Sequence, residues 1–239
     1  MHLVLTGATG TVGTGVLTHC LASTRVTRLS ILSRRPFDLP TGPGLDASKA
    51  QVIVHTDYLN YPSELLDHLK DVKGVIWSQG VSQTQVSKEE YIKVTHDHPI
   101  AAAKAFARAA SSPMNFTYVS AEGASPEENI KGRTEKSPLA LSQASDAAFV
   151  PLRVFNVRPG AVEPVTGNDL QGFRRTLVKL SAPVIKLAVP SLFIHRDKLA
   201  VTLVDLALGN GEPLPSGPGI EAGGRTLQNS AIRAWKPIE

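Results

Sequence analysis

The chain of 239 residues is poor in several things, and each shortage removes a class of function. A single cysteine, Cys20, rules out an intrachain disulfide and any cysteine-rich metal site. No basic run with interleaved aromatics occurs, and the net charge of +4 is spread along the sequence, so nucleic-acid binding has no support. The apolar stretch at the start, His2-Leu3-Val4-Leu5, is broken by glycine too soon for a signal peptide or a membrane span. A cytoplasmic location without membrane attachment is the resulting expectation. Charged residues at 19% against 42% hydrophobic ones describe a globular chain and not a disordered one. Its length suits one large α/β domain with a sizeable core, or a Rossmann unit plus a small lobe.

What is present begins at the first residues. The short strand runs directly into Thr6-Gly7-Ala8-Thr9-Gly10-Thr11-Val12-Gly13. A strand that delivers three glycines into an amphipathic helix (Val12, Val16, Leu17, Leu21) is the pattern of a dinucleotide pyrophosphate site. Gly7 permits the tight turn, Gly10 lets backbone approach phosphates, and Gly13 lets helix pack on strand. The first-turn amides, from Thr11 and Val12 onward, face the anion, with Thr9 in the loop. The spacing is GxxGxxG, a relative of the GxGxxG fingerprint.

A second strand, read over 26–32, ends at Ser33-Arg34-Arg35-Pro36. A site for NAD carries an acid near this point to grip the ribose 2′-hydroxyl. Two adjacent arginines stand here instead, and their planar forks suit a 2′-phosphate. The cofactor expected is therefore NADP(H).

Strand and helix patterns alternate along the rest of the chain, which implies a doubly wound parallel sheet with helices on both faces. Strands are expected at 51–55, 74–77, 114–119 and 150–157, with helices over 63–70 and 87–110. The third strand ends at Asp57-Tyr58, and Trp77-Ser78-Gln79-Gly80 follows the fourth at the carboxyl edge, where ligands sit. Gln79 and Gly80 are thus candidate cofactor contacts, as are Pro159 and Gly160 after the sixth strand. One domain spans 1–239, with a dinucleotide-binding core at 1–160 and substrate-side segments at 161–239.

In order and spacing, Thr6–Gly13, Ser33–Pro36, Asp57-Tyr58, Val119–Ala124, Lys131–Glu135 and Val157–Gly160 resemble the atypical short-chain dehydrogenase/reductase superfamily, in its NmrA-like and Tat-interacting-protein-like branch. A weaker stretch, Ile194–Ala200, is similar to the late helix start of such proteins. The resemblance implies a Rossmann fold and a nicotinamide cofactor touched by Asp57, Tyr58 and Lys131. It also implies carbonyl reduction by a Tyr and Lys in YxxxK spacing with a Ser after strand five. Ser120 and Lys131 match the Ser and the Lys and are the candidate catalytic pair. Glu127 stands where the Tyr belongs, and no YxxxK occurs anywhere in the chain. Ser125-Pro126-Glu127-Glu128 reads as a helix start, with the active-site loop shortened before it.

Tyr91, Tyr118, His96 and His98 are substitutes by chemistry. Tyr118 alternates on its strand toward packing, and His96-Asp97-His98 are adjacent on a helix and cannot converge on one ion. Glu163 is a further acid near the expected cleft. Three functions stay open: an NADP(H)-dependent oxidoreductase for a small carbonyl or imine, a non-redox isomerase, cyclase or lyase, and an NADP(H)-sensing module that regulates a protein partner.

Overall fold

The computed structural model describes residues 1–125, 129–143, 152–162 and 190–238. Parallel strands β1 (His2–Thr6), β2 (Arg28–Ser33), β3 (Ala50–Val54), β4 (Gly74–Trp77), β5 (Met114–Val119) and β6 (Leu152–Arg158) form most of one sheet. Helix α1 (Thr11–Ala22) joins β1 to β2, and α2 (Ser63–Leu69) joins β3 to β4. Between β4 and β5 run α3 (Lys88–Ile92), a π-helical turn at Lys93–Asp97 and α4 (His98–Ala109), and α5 (Ile130–Gln143) precedes β6. A two-stranded ladder, β7 (Ala161–Val162) with β8 (Phe193–Ile194), stands apart. Last come α6 (Arg196–Leu208), β9 (Ile220–Glu221), β10 (Thr226–Gln228) and α7 (Asn229–Ala234).

The sheet order is β3-β2-β1-β4-β5-β6-β10-β9, parallel except for β9. The order reverses between β1 and β4, and a crevice for ligands opens at the carboxyl ends of the strands at such a point. Strand residues alternate between two cores. Leu3, Leu5, Leu29 and Ile31 pack with α1 and α6, whereas Val4, Val75, Trp77, Phe116 and Tyr118 pack with α4. Each fully buried side chain of this size stabilises the fold by about 1.5–3 kcal/mol. Cys20 is fully buried among them, and burial pushes its thiol pKa up to about 12, which makes it inert packing.

Gly74 is part of this packing. A Cβ there would lie 2.2 Å from the Ala207 carbonyl oxygen, so only glycine lets α6 seat on β4. Opposite the crevice, Asp205 of α6 gathers Arg25, the Trp235 indole N–H at 3.0 Å and the Ile238 amide at 3.1 Å. That cluster ties the last residues onto the back layer.

The described part of the helix before β6 begins at Ile130, where Asn129 accepts the Gly132 amide at 2.9 Å, and the start expected at Ser125-Pro126-Glu127-Glu128 falls largely outside the described residues. Residues 126–128, Glu127 among them, lie outside the described residues. The region after 160, expected on the substrate side, contributes β9, β10 and α6 to the sheet and its back layer. Among the described residues, no helix is long and apolar enough to cross a membrane.

Candidate functional site

The turn after β1 is built by three glycines with different reasons for being there. Gly7 has φ +70°, and a Cβ on it would stand 2.6 Å from the Ser78 carbonyl oxygen. A Cβ on Gly13 would fall 1.9 Å from the Gly7 oxygen, so close contact of helix and strand demands glycine. Gly10 is different: its Cβ would meet only the Gly7 oxygen, at an ordinary 3.4 Å. The protein's own packing does not require glycine there, and the free space is where a ligand phosphate would approach. Gly10 is also the N-cap of α1 and offers no side-chain bond, which leaves the first-turn amides open.

One compartment extends from this turn across Thr9 and Gly10 to Ser33, Arg34 and Arg35, with Gln79 and Gly80 on its other side. Arg34 and Arg35 are exposed and form no ion pair with any described residue. The Ser33 hydroxyl fixes their loop by donating to the Arg35 carbonyl at 2.7 Å. Tyr58 walls the compartment, but its hydroxyl donates to the Leu32 carbonyl at 3.1 Å, and burial pushes its pKa up to about 12. Asp57 and Gly13 do not line it. Asp57 is exposed and accepts the Leu59 amide and the Asn60 side chain, bonds that hold its carboxyl below the usual range.

A second compartment, about 350 Å³, shares Ser78, Gln79 and Gly80 with the first and lies over β5 and β6. Thr11 and Val12 enter from α1, Ser120 from the end of β5, Lys131 from α5, and Pro159 and Gly160 from the turn after β6. Gly160 is held by its amide donating to Asn229 Oδ1 at 2.9 Å. Three buried polar atoms in this compartment have no hydrogen-bond partner among the described residues: Ser120 Oγ, Gln79 Oε1 and Thr95 Oγ1. Other buried polar atoms also lack a partner among the described residues, Thr6 Oγ1, Trp77 Nε1 and Asn156 Oδ1 among them; these three are set apart by belonging to residues that line one cavity.

Lys131 donates from Nζ to the Ser120 carbonyl at 3.1 Å. Burial draws its pKa down, with Glu135 pulling weakly the other way. Glu135, one turn along α5, is committed elsewhere: Arg158 grips it through Nε at 2.9 Å and Nη2 at 2.6 Å.

The residue missed from sequence is Thr95. Pro99 four residues on has no N–H to give the Thr95 carbonyl, and the helix widens into its π turn here. The Thr95 carbonyl accepts the Tyr118 hydroxyl at 3.2 Å and the Thr134 hydroxyl at 3.0 Å. Tyr118 therefore lines the cavity with its hydroxyl engaged, and burial raises its pKa. The proline four places after a threonine is the only signal that pointed to this position. His96 pairs with Asp97 at 2.8 Å while His98 turns inward to stack on Tyr58, and no metal-binding cluster exists among the described residues. Glu163 lies outside them.

The fold is that of the short-chain dehydrogenase/reductases. A short-chain dehydrogenase family protein from Francisella tularensis superposes with TM-score 0.61 at 16% identity, over 98% of this chain and 99% of that one. MoeE5, solved with UDP-glucuronic acid and NAD, gives 0.61 at 18% identity over 95% of this chain and 76% of its own. Among curated proteins, leucinostatins biosynthesis cluster protein T of Purpureocillium lilacinum is 29% identical over 98% of this chain and 95% of that relative. No family model matches the sequence.

Proposed function

We propose that the chain is an NADP(H)-dependent reductase of the short-chain dehydrogenase/reductase type, acting on a small organic carbonyl or imine. The observation that carries this is the meeting of two compartments at Ser78–Gly80, one lined by the glycine turn and the arginine pair, the other by Lys131 and by three residues with unpartnered buried polar atoms. The vacant space at Gly10 and the unpaired arginines fit a dinucleotide with a 2′-phosphate. When bound, the nicotinamide supplies hydride to the substrate.

The chain's own groups have separable tasks. Gly10 and the α1 amides would hold the pyrophosphate, and Arg34 and Arg35 the 2′-phosphate. Gln79, Gly80, Pro159 and Gly160 bound the ring end. The Ser120 hydroxyl, having no other partner, is free to donate to a substrate oxygen as charge grows on it. Val12 and Val162 limit water at the same cavity. An imine needs less help, because it can be protonated before it is reduced. A single buried thiol fits a reducing compartment such as the cytosol.

Titration with NADPH and NADH tests the reading. NADPH should bind at least about tenfold more tightly, and Arg34→Ala with Arg35→Ala should erase the difference, given about 1.5–3 kcal/mol per charge-assisted bond. Equal affinities before and after the change would sink the 2′-phosphate assignment. Selective binding with no turnover of carbonyls or imines would turn the reading toward an NADP(H)-sensing module, a role that the missing YxxxK also favours.

A further inference from the structure

A reductase of this kind needs an acid, and the tyrosine that the resemblance leads one to expect is absent. We infer that Lys131 is itself the proton donor, its ammonium protonating the substrate oxygen that the Ser120 hydroxyl faces. This rests on the reductase reading above.

Few other groups lining the cavity could do this. Ser78, Thr11, Thr95 and Ser120 present hydroxyls, and Gln79 an amide; none of these loses a proton near neutrality. Tyr118 has its hydroxyl on the Thr95 carbonyl and its pKa raised by burial. Among the described residues this leaves Lys131 as the one lining group able to give up a proton and take it back.

Its surroundings suit that task. The ammonium donates to the backbone oxygen of Ser120 at 3.1 Å, and the hydroxyl of that same residue has no partner among the described residues. The carboxylate best placed to fix it as a permanent cation, Glu135 at i+4, is held by Arg158, which Glu221 also meets at 3.1 Å. With that charge matched elsewhere, desolvation prevails and lowers the amine's pKa from the ordinary lysine value. Such lowering brings an amine toward the operating pH, where a general acid works best.

The step balances. The nicotinamide dinucleotide is the reductant and gives hydride to the carbonyl carbon. The C=O π pair moves onto oxygen, one N–H bond of Lys131 breaks, and an O–H bond forms. Lys131 is left a neutral amine and regains its proton from water.

Two measurements on the full chain test the inference. Lysines are carbon-13 dimethylated and titrated by NMR, with the Lys131 resonance assigned by its loss in Lys131→Arg. It should titrate well below the other lysines and move when NADPH is added. Reduction of 4-nitrobenzaldehyde and of 9,10-phenanthrenequinone by NADPH is then followed against pH. A guanidinium keeps the charge but cannot donate, so Lys131→Arg should cut kcat about 10²-fold or more while NADPH affinity stays within a few-fold.

A Lys131 that titrates with the other lysines overturns the proton donor whatever the turnover. So does wild-type kcat in Lys131→Arg, or activity lost in Glu127→Gln and kept in Lys131→Arg. A wild-type protein that reduces neither probe at any pH while Lys131 titrates low fails differently, because it sinks the reductase reading and takes the donor with it.

Discussion

The two ends of the sheet hold similar polar chemistry in opposite states. At the amino end, His2 bonds Ser30 through Nε2 and Asp71 through Nδ1, both at 2.9 Å. Arg28 reaches Asp71 at 3.3 Å and His68 at 3.0 Å, and His68 in turn meets Gln51. Serine, imidazole and carboxylate in a line are the parts of a hydrolytic triad. Yet Ser30 is 1% exposed, and no substrate reaches it. At the carboxyl end, Ser120 is about as buried, at 3%, but its hydroxyl has no partner among the described residues and the residue lines a cavity. Residue types therefore do not distinguish structure from function here. What separates these two serines is that the Ser30 hydroxyl has a partner inside the protein, whereas Ser120 lines a cavity with its hydroxyl unpartnered among the described residues.

Glycine substitutions should give the largest effects. Gly13→Ala sets a methyl against the Gly7 carbonyl and should cost at least about 1–3 kcal/mol of stability along with cofactor binding. Gly10→Ala meets nothing closer than 3.4 Å and should cost about 1 kcal/mol or less while NADPH binding falls at least tenfold. Thermal melts with and without NADPH separate the two. If Gly10→Ala binds NADPH as the wild type does, its free space is not a phosphate cradle.

The serines supply the sharper contrast. Ser120→Ala deletes a hydroxyl that bonds nothing, so the melting temperature should hold or rise while kcat falls about 10²–10³-fold. Ser30→Ala strands the His2 Nε2 in the interior and should cost about 1–3 kcal/mol with turnover unchanged. Melting curves and kcat for the pair would break the comparison if both serines behaved alike.

The smallest effect is that of pH. Burial lowers the pKa of His2, His19, His55 and His98, with Arg28 adding to the effect at His2. The folded protein keeps these rings neutral, so below about pH 6.5 the unfolded chain takes up protons that the folded chain refuses. Stability should be fully present above that pH and decline as pH falls through it. A melting temperature that rises on acidification from pH 7 to 5 would contradict this.

Strands with long apolar runs were legible from sequence; β4 and β5 occupy the residues their patterns indicate. The glycine turn was equally clear, because close packing and positive φ leave few residue choices. Other parts could not be read locally. β10 has three residues and β9 two, too few to show a period, and they join the sheet through β6. Asn129, which caps the described start of α5 by accepting the Gly132 amide, carried no signal that stood out in the sequence. Thr95 enters the site because a proline withholds an amide one turn away, a consequence that periodicity does not register.

The narrow strip Ser78–Gln79–Gly80 is common to both compartments, and little else is. Such a layout makes the molecule modular for engineering and for divergence. On the proposed reading, exchanging Arg34 and Arg35 should change cofactor choice and leave the lining at Thr95, Ala121 and Val162 undisturbed, and the reverse should hold as well. A library that leaves the strip intact and varies the two sides separately explores two traits whose effects should combine additively.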